Sequence, residues 1–277
     1  MRRQALSLGC EVDVWAARRG AVHSVFAGAI NLLVGGEMWT LLDAAKSDSP
    51  FGIRLAPGVG PHAFGVQRSA LVHVRSGFIG VGGMVLDCRS ALRWAAVRWP
   101  PPGAGFEARL AEVERLARPR AWADSAAMAG DVMRALCAAH GAADAQCVAA
   151  VRRTIGRGPG LTPAGDDVLV GIMAILSSGA AGEAGARAME RLVRAMMPAL
   201  PSTTDLSRHL LAQAARGLSG RALHDLGRAL VKGAADDALA AALAPVLATG
   251  ATSGADACIG LVAAGRTMLI DAERFAA

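Results

Sequence analysis

The sequence predicts an α+β protein, with an N-terminal, mainly antiparallel β-sheet or small barrel followed by a larger α-helical domain. Three observations lead to this prediction. Short apolar runs separated by glycines fill the chain up to residue 99, three consecutive prolines interrupt it at 100–102, and apolar residues recur at helical spacing beyond residue 106. We therefore expect a β-rich domain over 1–99, a Pro/Gly boundary at 100–105 and a helical domain over 106–277.

The strands of the first domain are indicated by short apolar segments. AVHSVFAGAINLLVGGEMWTLLDAA places such segments on both sides of Gly35-Gly36, which is typical of a β-hairpin. FGIRLAP, SALVHVRSG and FIGVGGMVLDC add further strands at close spacing, as in a small sheet or barrel. Asn31 interrupts one apolar run, and we expect it to be a turn residue or a buried hydrogen-bond partner rather than a catalytic group.

The helices of the second domain are indicated by apolar residues at i, i+3 and i+4. This spacing recurs in EARLAEVERLARPRAWADSAAMAGDVMRALCAAHG, EAGARAMERLVRAMMPAL, DLSRHLLAQAARGL, RALHDLGRALVKG and DDALAAALAPVLATG. Much of the apolar content is alanine, which favours helices while adding little core volume.

The composition indicates which partners and which compartment to expect for this protein. The net charge is +6, but arginines are scattered along the chain and no basic run is interleaved with aromatic residues, so we expect no nucleic-acid partner. A scattered positive excess suits small anionic substrates equally well. Five widely spaced cysteines indicate a reducing compartment, and no apolar run is long enough to span a bilayer. We expect a cytoplasmic protein without a membrane partner.

Three polar, small-residue segments stand out from the alanine-rich background: GPGLTPAGDDVLVG, PSTTDLSRHLL and GATSGADACIGL. Each segment runs directly into a predicted helix. As helix caps they would use Thr162 as N-cap before Pro163 in the first segment, Ser202 with Asp205 in the second, and Ser253 with Asp256 in the third. Asp166 and Asp167 then fall in a first helical turn, where carboxylates favour the helix dipole.

Capping alone does not account for all three segments. Glycines before Thr162 let backbone N–H groups approach an anion, and Gly254 weakens a helix start unless something approaches it closely. Converging helix starts would hold phosphate or carboxylate, yet the aspartates would repel that anion. Two resolutions stay open: the aspartates bind Mg²⁺ together with a phosphate, or they orient other anion-binding groups.

In this order and spacing, GPGLTPAGDD, STTDLSRHLL and TSGADACIGL resemble the AllH-type family, with AINLL and SPFGIRL similar to it in the N-terminal part. The resemblance implies one subunit of an oxamate carbamoyltransferase, which works beside two other proteins in anaerobic allantoin and purine catabolism. It implies carbamoyl transfer between carbamoyl phosphate and oxamate, in the catabolic direction as oxalurate phosphorolysis. Carbamoyl transfer needs no redox cofactor, and Mg²⁺ is the metal that we consider for the aspartates.

We combine this resemblance with the residues to predict a site. Asp166, Asp167 and either Arg208 or His209 are the catalytic candidates, and Asp166, Asp167 and Asp256 are the metal candidates. The substrate-binding candidates come from all three segments: Gly158, Gly160, Thr162, Ser202, Thr203, Thr204, Thr252, Ser253, Gly254 and Asp256. The alternative is a non-catalytic assembly or regulatory ligand-binding subunit, in which the same segments shape a docking surface or a regulatory pocket.

Overall fold

The computed structural model describes residues 2–58, 60–138, 142–233 and 235–276, and the side chains of 142–143 and 268–276 are outside this description. The chain divides into two compact units, Met1–Ala96 and Val97–Ala277, and each is described by itself. The first is a mixed β-barrel and the second is helical, so the predicted fold class is confirmed.

Eight strands of the described chain form the barrel, and a ninth extends it. The strands are β1 Arg2–Gly9, β2 Arg18–Phe26, β3 Ala29–Val34, β4 Glu37–Leu42, β5 Gly52–Leu55, β6 Leu71–Arg75, β7 Phe78–Val81, β8 Met84–Asp87 and β9 Leu92–Trp94. Their order is β5-β4-β3-β2-β6-β7-β8-β1-β9, and an antiparallel β1–β5 pairing closes the barrel. The β4–β5, β1–β8 and β1–β9 pairs are parallel, and the remaining pairs are antiparallel.

The predicted hairpin is confirmed, because β3 and β4 pair in antiparallel register across Gly35-Gly36. Asn31 lies on β3 with its side chain buried, and it donates from Nδ2 to Ser24 Oγ (3.0 Å) and accepts at Oδ1 from Thr40 Oγ1 (2.9 Å). Ser24, Asn31 and Thr40 face one another across β2, β3 and β4. The expectation that Asn31 is a buried hydrogen-bond partner is therefore confirmed.

The described part of the second unit contains nine α-helices. They are α1 Phe106–Ala117, α2 Ser125–Cys137, α3 Ala142–Thr154, α4 Ala164–Leu176, α5 Gly182–Met196, α6 Asp205–Ala215, α7 Arg221–Lys232, α8 Asp236–Leu247 and α9 Ser253–Ala276. A 3₁₀ segment, Met197–Ser202, leads into α6. None of the helices within the described residues combines the length and the apolar character needed to cross a membrane.

Helices α4 and α9 pack directly against each other in the middle of this unit. A Cβ atom at Gly171 of α4 would collide with the carbonyl oxygen of Ala257, and one at Gly260 of α9 would collide with the carbonyl oxygen of Val168. Glycine at these two places lets the helix backbones come within contact of each other. The polar residues at the starts of α4 and α9 are consequently held side by side.

Candidate functional site

The structure brings the three polar segments together. The hydroxyls of Thr162, just before α4, and Ser253, at the start of α9, are 2.8 Å apart and hydrogen-bonded. Thr204, just before α6, donates from Oγ1 to the carbonyl oxygen of Leu161 (2.6 Å), and Thr203 Oγ1 donates to Asp166 Oδ2. We call this convergence of the starts of α4, α6 and α9 the helix-start site; its polar members are Thr162, Asp166, Asp167, Thr203, Thr204, Ser253 and Asp256.

The glycine-rich loop before α4 is shaped by its backbone. Gly156, Gly158 and Gly160 have φ of +69°, +104° and +96°, a region that L side chains rarely adopt. A Cβ atom at Gly156 would also lie 2.6 Å from the carbonyl oxygen of Ser202, and one at Gly158 would lie 2.9 Å from the Ala164 nitrogen. At Gly156 and Gly158, packing as well as backbone conformation therefore excludes a side chain. Gly160 needs only its backbone conformation, because the nearest atom to its Cβ position is 4.0 Å away.

The predicted N-cap of α4 is wrong by one residue. Helix α4 begins at Ala164, so Pro163 occupies the N-cap position, and no side chain caps the helix there. The Thr162 hydroxyl instead forms a hydrogen bond with the hydroxyl of Ser253, which belongs to a different helix. Asp166 and Asp167 do lie in the first turn of α4, as predicted.

The predicted capping boxes of α6 and α9 are also replaced by other contacts. Thr204 is the N-cap of α6, and its Oγ1 accepts from the Ser207 N–H (3.1 Å), whereas Ser202 ends the preceding 3₁₀ segment. The Asp256 carboxyl accepts from Trp122, just before α2, and from Ser125, the first residue of α2, rather than capping its own helix.

The close approach expected at Gly254 is made by the protein itself. A Cβ atom at Gly254 would collide with the carbonyl oxygen of Val246 in α8. This glycine therefore lets α8 pack against the start of α9. Thr252, two residues earlier, accepts at its carbonyl oxygen from the Asp256 N–H (2.9 Å), which is the first helical hydrogen bond of α9.

Asp166 ties two of the segments together. Its side chain is almost fully buried, Oδ1 accepts from the Gly156 N–H (2.8 Å), and Oδ2 accepts from Thr203. Burial raises the pKa of this carboxyl, while the hydrogen bonds from Thr203, Gly156 and Ser207 lower it. With both oxygens engaged, Asp166 fixes the loop before α4 against the turn before α6.

Asp167 has a different environment. Its side chain is 8% exposed, and Oδ2 is buried without a hydrogen-bond partner among the described residues. Burial raises the pKa of Asp167 from its ordinary 3.8 to about 8; the hydroxyls of Ser253 and Thr162 oppose this rise, and the charges of Asp256 and Asp166 add to it. The carboxyl is therefore mostly protonated at pH 7, and a protonated carboxyl can donate a hydrogen bond.

Asp256 anchors the start of α2 to α9. Its side chain is fully buried, and Oδ1 accepts from the Trp122 N–H (2.8 Å) and from Ser125 Oγ (2.6 Å). Its Oδ2 is buried and, within the part of the chain that the structure covers, has no hydrogen-bond partner. Among the described residues, Asp167 and Asp256 thus each keep one carboxyl oxygen without a hydrogen-bond partner.

The predicted metal role of Asp166, Asp167 and Asp256 stays a prediction. No group of three or more His, Cys, Asp or Glu side chains in the described ranges is placed to hold a metal ion. Asp166 already uses both oxygens on protein donors, so it has little left for Mg²⁺. The geometry favours the other alternative, in which the aspartates hold the surrounding groups in position.

Arg208 and His209 are adjacent on α6. The Arg208 side chain is about half exposed, forms an ion pair with Asp205 (3.2 Å), and reaches to 3.5 Å from the Thr203 carbonyl oxygen. His209 is half-buried. Their predicted role in polarising a carbamoyl carbonyl stays a prediction.

The sequence patterns did not identify Arg157 and Trp122 as candidate site residues. The Arg157 guanidinium carbon lies 5.9 Å from the centre of the Trp122 ring, and its Nη2 lies 3.7 Å from Asp124 Oδ2. Arg157 belongs to the glycine-rich loop, and Trp122 is bonded to Asp256 through its backbone. An arginine within GRGPG was the available signal, but nothing in the sequence links it to a tryptophan 35 positions earlier.

Comparison with known families gives two matching family models. A family model described as oxamate carbamoyltransferase subunit AllH matches residues 154–265, which include the glycine-rich loop and the starts of α4, α6 and α9. A second, described as the AllH family N-terminal domain, matches residues 4–93, the barrel. Searches of curated proteins and of solved structures gave no match. The resemblance expected from the motifs is confirmed, and the chain belongs to the AllH family.

Proposed function

We propose that this chain binds the substrate anions of an oxamate carbamoyltransferase at the helix-start site and takes part in carbamoyl transfer there. The observation that carries the proposal is that the buried carboxyls of Asp167 and Asp256 each keep an oxygen without a hydrogen-bond partner among the described residues, and that Asp167 interacts with the Thr162–Ser253 hydroxyl pair. Buried polar atoms are nearly always satisfied, so orphan atoms clustered at one place favour a ligand that completes them. The family description supplies the chemical class of that ligand.

Protonation removes the charge conflict between an anion and Asp167. Helix starts offer unpaired N–H groups and a partial positive charge, which favour phosphate or carboxylate. An ionised aspartate would repel the same group. Because the pKa of Asp167 is raised to about 8, its neutral carboxyl donates to an anion at pH 7 instead of repelling it. A buried acid among helix starts is therefore compatible with an anionic substrate.

The reaction needs positioning and charge stabilisation. In the synthetic direction the amide nitrogen of oxamate attacks the carbamoyl carbon, the bond from that carbon to the phosphate oxygen breaks, and the nitrogen loses a proton, giving oxalurate and inorganic phosphate. Phosphorolysis of oxalurate is the reverse. Donors that are already oriented stabilise the developing oxyanion and the departing phosphate without reorganising. Thr162, Ser253 and the neutral Asp167 carboxyl are the donors that we assign to this task.

The test combines binding and turnover on the purified full chain. Calorimetry would measure dissociation constants for carbamoyl phosphate, oxamate, oxalurate and phosphate, and a product assay would follow oxalurate and phosphate formation. We expect binding in the wild type and a loss of about tenfold or more in Thr162→Val, because one donor to a charged group is removed. Thr249→Val is the matched control, since Thr249 is exposed just after α8 and its hydroxyl donates to the Pro245 carbonyl oxygen of that helix.

The outcomes separate the proposal from its alternative. Binding that is lost in Thr162→Val, together with turnover, supports a catalytic subunit. Binding without turnover by the chain alone supports the ligand-binding subunit, in which another protein of the complex completes the catalytic site. Binding that is equal in the wild type and Thr162→Val, or no binding of any of the four anions, contradicts the proposed location.

A further inference from the structure

We infer that Arg157, stacked on Trp122, binds the anionic end of the ligand at the rim of the helix-start site. The inference rests on the proposed function and adds to it an arginine that is not engaged on its own helix, as Arg208 is with Asp205. The ligand class is a small molecule that ends in a carboxylate or a phosphate, the two groups that the planar guanidinium fork matches with paired hydrogen bonds.

Arg157 is oriented but still accessible. Its guanidinium lies over the Trp122 ring at 5.9 Å, a distance at which a cation is attracted to the ring face. Its side chain is 62% exposed, and the ion pair with Asp124, itself 52% exposed, is long at 3.7 Å. A surface pair of this length contributes little to stability, so a ligand oxyanion can replace Asp124 without a large penalty.

Backbone contacts place the pair beside the orphan carboxyl oxygens. The Arg157 carbonyl oxygen accepts from the Gly165 N–H (2.9 Å), which holds the loop against the first turn of α4. The Trp122 N–H donates to Asp256 Oδ1, and the other oxygen of Asp256 is the unsatisfied one. Asp256 lies one helical turn after Ser253, whose hydroxyl is bonded to Thr162. A single side chain, Asp256, therefore connects the stacked arginine to the predicted donors.

The charge balance of the site also calls for such a residue. Hydroxyls and helix N–H groups can orient an oxyanion, but they carry no full positive charge. Arg208, the arginine expected from the sequence, is engaged with Asp205 at 3.2 Å on its own helix. Arg157 comes from the loop whose backbone the three glycines shape, so one loop would carry both the backbone N–H groups and the cation.

The test is calorimetry on the full chain with oxamate, oxalurate, inorganic phosphate and carbamoyl phosphate. Wild type is compared with Arg157→Gln, Arg157→Lys and the control Arg153→Gln, which removes an exposed arginine from the last turn of α3. We expect Arg157→Gln to weaken binding by about tenfold or more, Arg157→Lys to fall between, and Arg153→Gln to stay within about twofold. Loss for the phosphates alone, or for the carboxylates alone, identifies which group Arg157 binds.

Failure of this inference differs from failure of the proposed function. If Thr162→Val loses binding while Arg157→Gln binds as the wild type does, the site stands and the role of Arg157 is overturned. If the wild type binds none of the four anions, both fall together. A melting temperature of Arg157→Gln within about 2 °C of the wild type is also expected, because the side chain is exposed; a larger fall would mean that Arg157 is a structural residue.

Discussion

Buried aspartates in the two units of the protein are satisfied to different degrees. Asp48, in the barrel, is buried with both oxygens paired, one accepting from Ser7 Oγ and the other from Arg54 Nη1 at 3.2 Å. Asp167 and Asp256, in the helical unit, are also buried, yet within the described part of the chain each has one oxygen without a hydrogen-bond partner. The barrel carboxylate is a closed structural contact, whereas the helical pair has the capacity to accept or donate one bond more.

Burial alone therefore does not identify a functional aspartate. A buried carboxyl with all of its bonds made stabilises the fold and has nothing left for a ligand. One with an orphan oxygen costs free energy in the unliganded protein, and a ligand that completes it recovers that cost. Substitutions at Asp48 should therefore lower stability, and substitutions at Asp167 should mainly change ligand binding and its pH dependence.

The largest effect is expected for Asp48→Ala in the barrel. The change leaves the Ser7 hydroxyl and the Arg54 guanidinium without their buried acceptor, so we expect the free energy of unfolding to fall by about 3 kcal/mol. Urea denaturation measures this, with Ser47→Ala at the exposed neighbouring position as the control. A loss below about 1 kcal/mol would contradict the conclusion that the fully paired carboxylate of Asp48 stabilises the barrel.

Asp256→Ala is expected to have the next largest effect on stability. It removes the acceptor of the Trp122 N–H and the Ser125 hydroxyl, which should cost about 2 kcal/mol. Asp256→Asn keeps an oxygen in the same place and should recover most of that loss in denaturant unfolding. Equal destabilisation by both changes would show that the carboxylate charge, not the acceptor, holds α2 to α9.

Asp167→Asn should change how stability depends on pH. Because burial raises the pKa of Asp167 to about 8, the folded protein holds this proton more tightly than the unfolded chain does. The stability that this provides is complete below about pH 4 and is lost as the pH rises through about 8, with a slope of at most about 1.4 kcal/mol per pH unit.

The comparison of melting curves of wild type and Asp167→Asn from pH 5 to pH 9 tests this expectation. The variant should lack the decline and should be the more stable protein at pH 8.5. Its amide still donates a hydrogen bond, so anion binding should persist above pH 8, where the wild type loses it. Parallel melting curves would mean that Asp167 is ionised throughout this pH range.

Ser253→Ala tests the donor pair beside the orphan oxygens. We expect anion binding to weaken by about tenfold, and the double variant with Thr162→Val to lose little more than either single variant, since the two hydroxyls are bonded to each other. Fully additive losses in calorimetry would instead mean that each hydroxyl contacts the ligand independently.

Asp124→Asn should have the smallest effect and the opposite sign. Asp124 competes with the ligand for Arg157, so its neutralisation should tighten anion binding by about twofold to threefold at low salt. The gain should shrink as ionic strength rises. Weaker binding in the variant would mean that Asp124 orients the guanidinium rather than competing for it.

Sequence periodicity predicted the fold class well, because strand and helix spacings differ and the prolines at 100–102 separate them. The segments of the site were also recognisable, since hydroxyls, glycines and aspartates contrast with an alanine-rich background. The caps of α4 and α9 were predicted wrongly because Thr162 and Asp256 bond to residues far along the chain, and a local pattern cannot show a tertiary partner. The cap of α6 is local, but it is Thr204 rather than Ser202.

The orphan oxygens and the Arg157–Trp122 stack could not be predicted either. Whether an oxygen is satisfied depends on the packing of several helices, and the stack joins residues 35 positions apart. The Mg²⁺ hypothesis stays a prediction, and its strength also depends on packing that the sequence does not show, since Asp166 accepts hydrogen bonds from Gly156 and Thr203 with its two oxygens.

The most direct test of the central claim, that substrate anions bind at the helix-start site, is hydrogen exchange of the full chain followed by mass spectrometry with saturating oxalurate or carbamoyl phosphate. We predict slower exchange in peptides covering 156–163, 202–207 and 252–256, and unchanged exchange in peptides from β2 to β4 of the barrel. Protection confined to the barrel, or no protection at ligand concentrations that saturate calorimetric binding, would contradict the account.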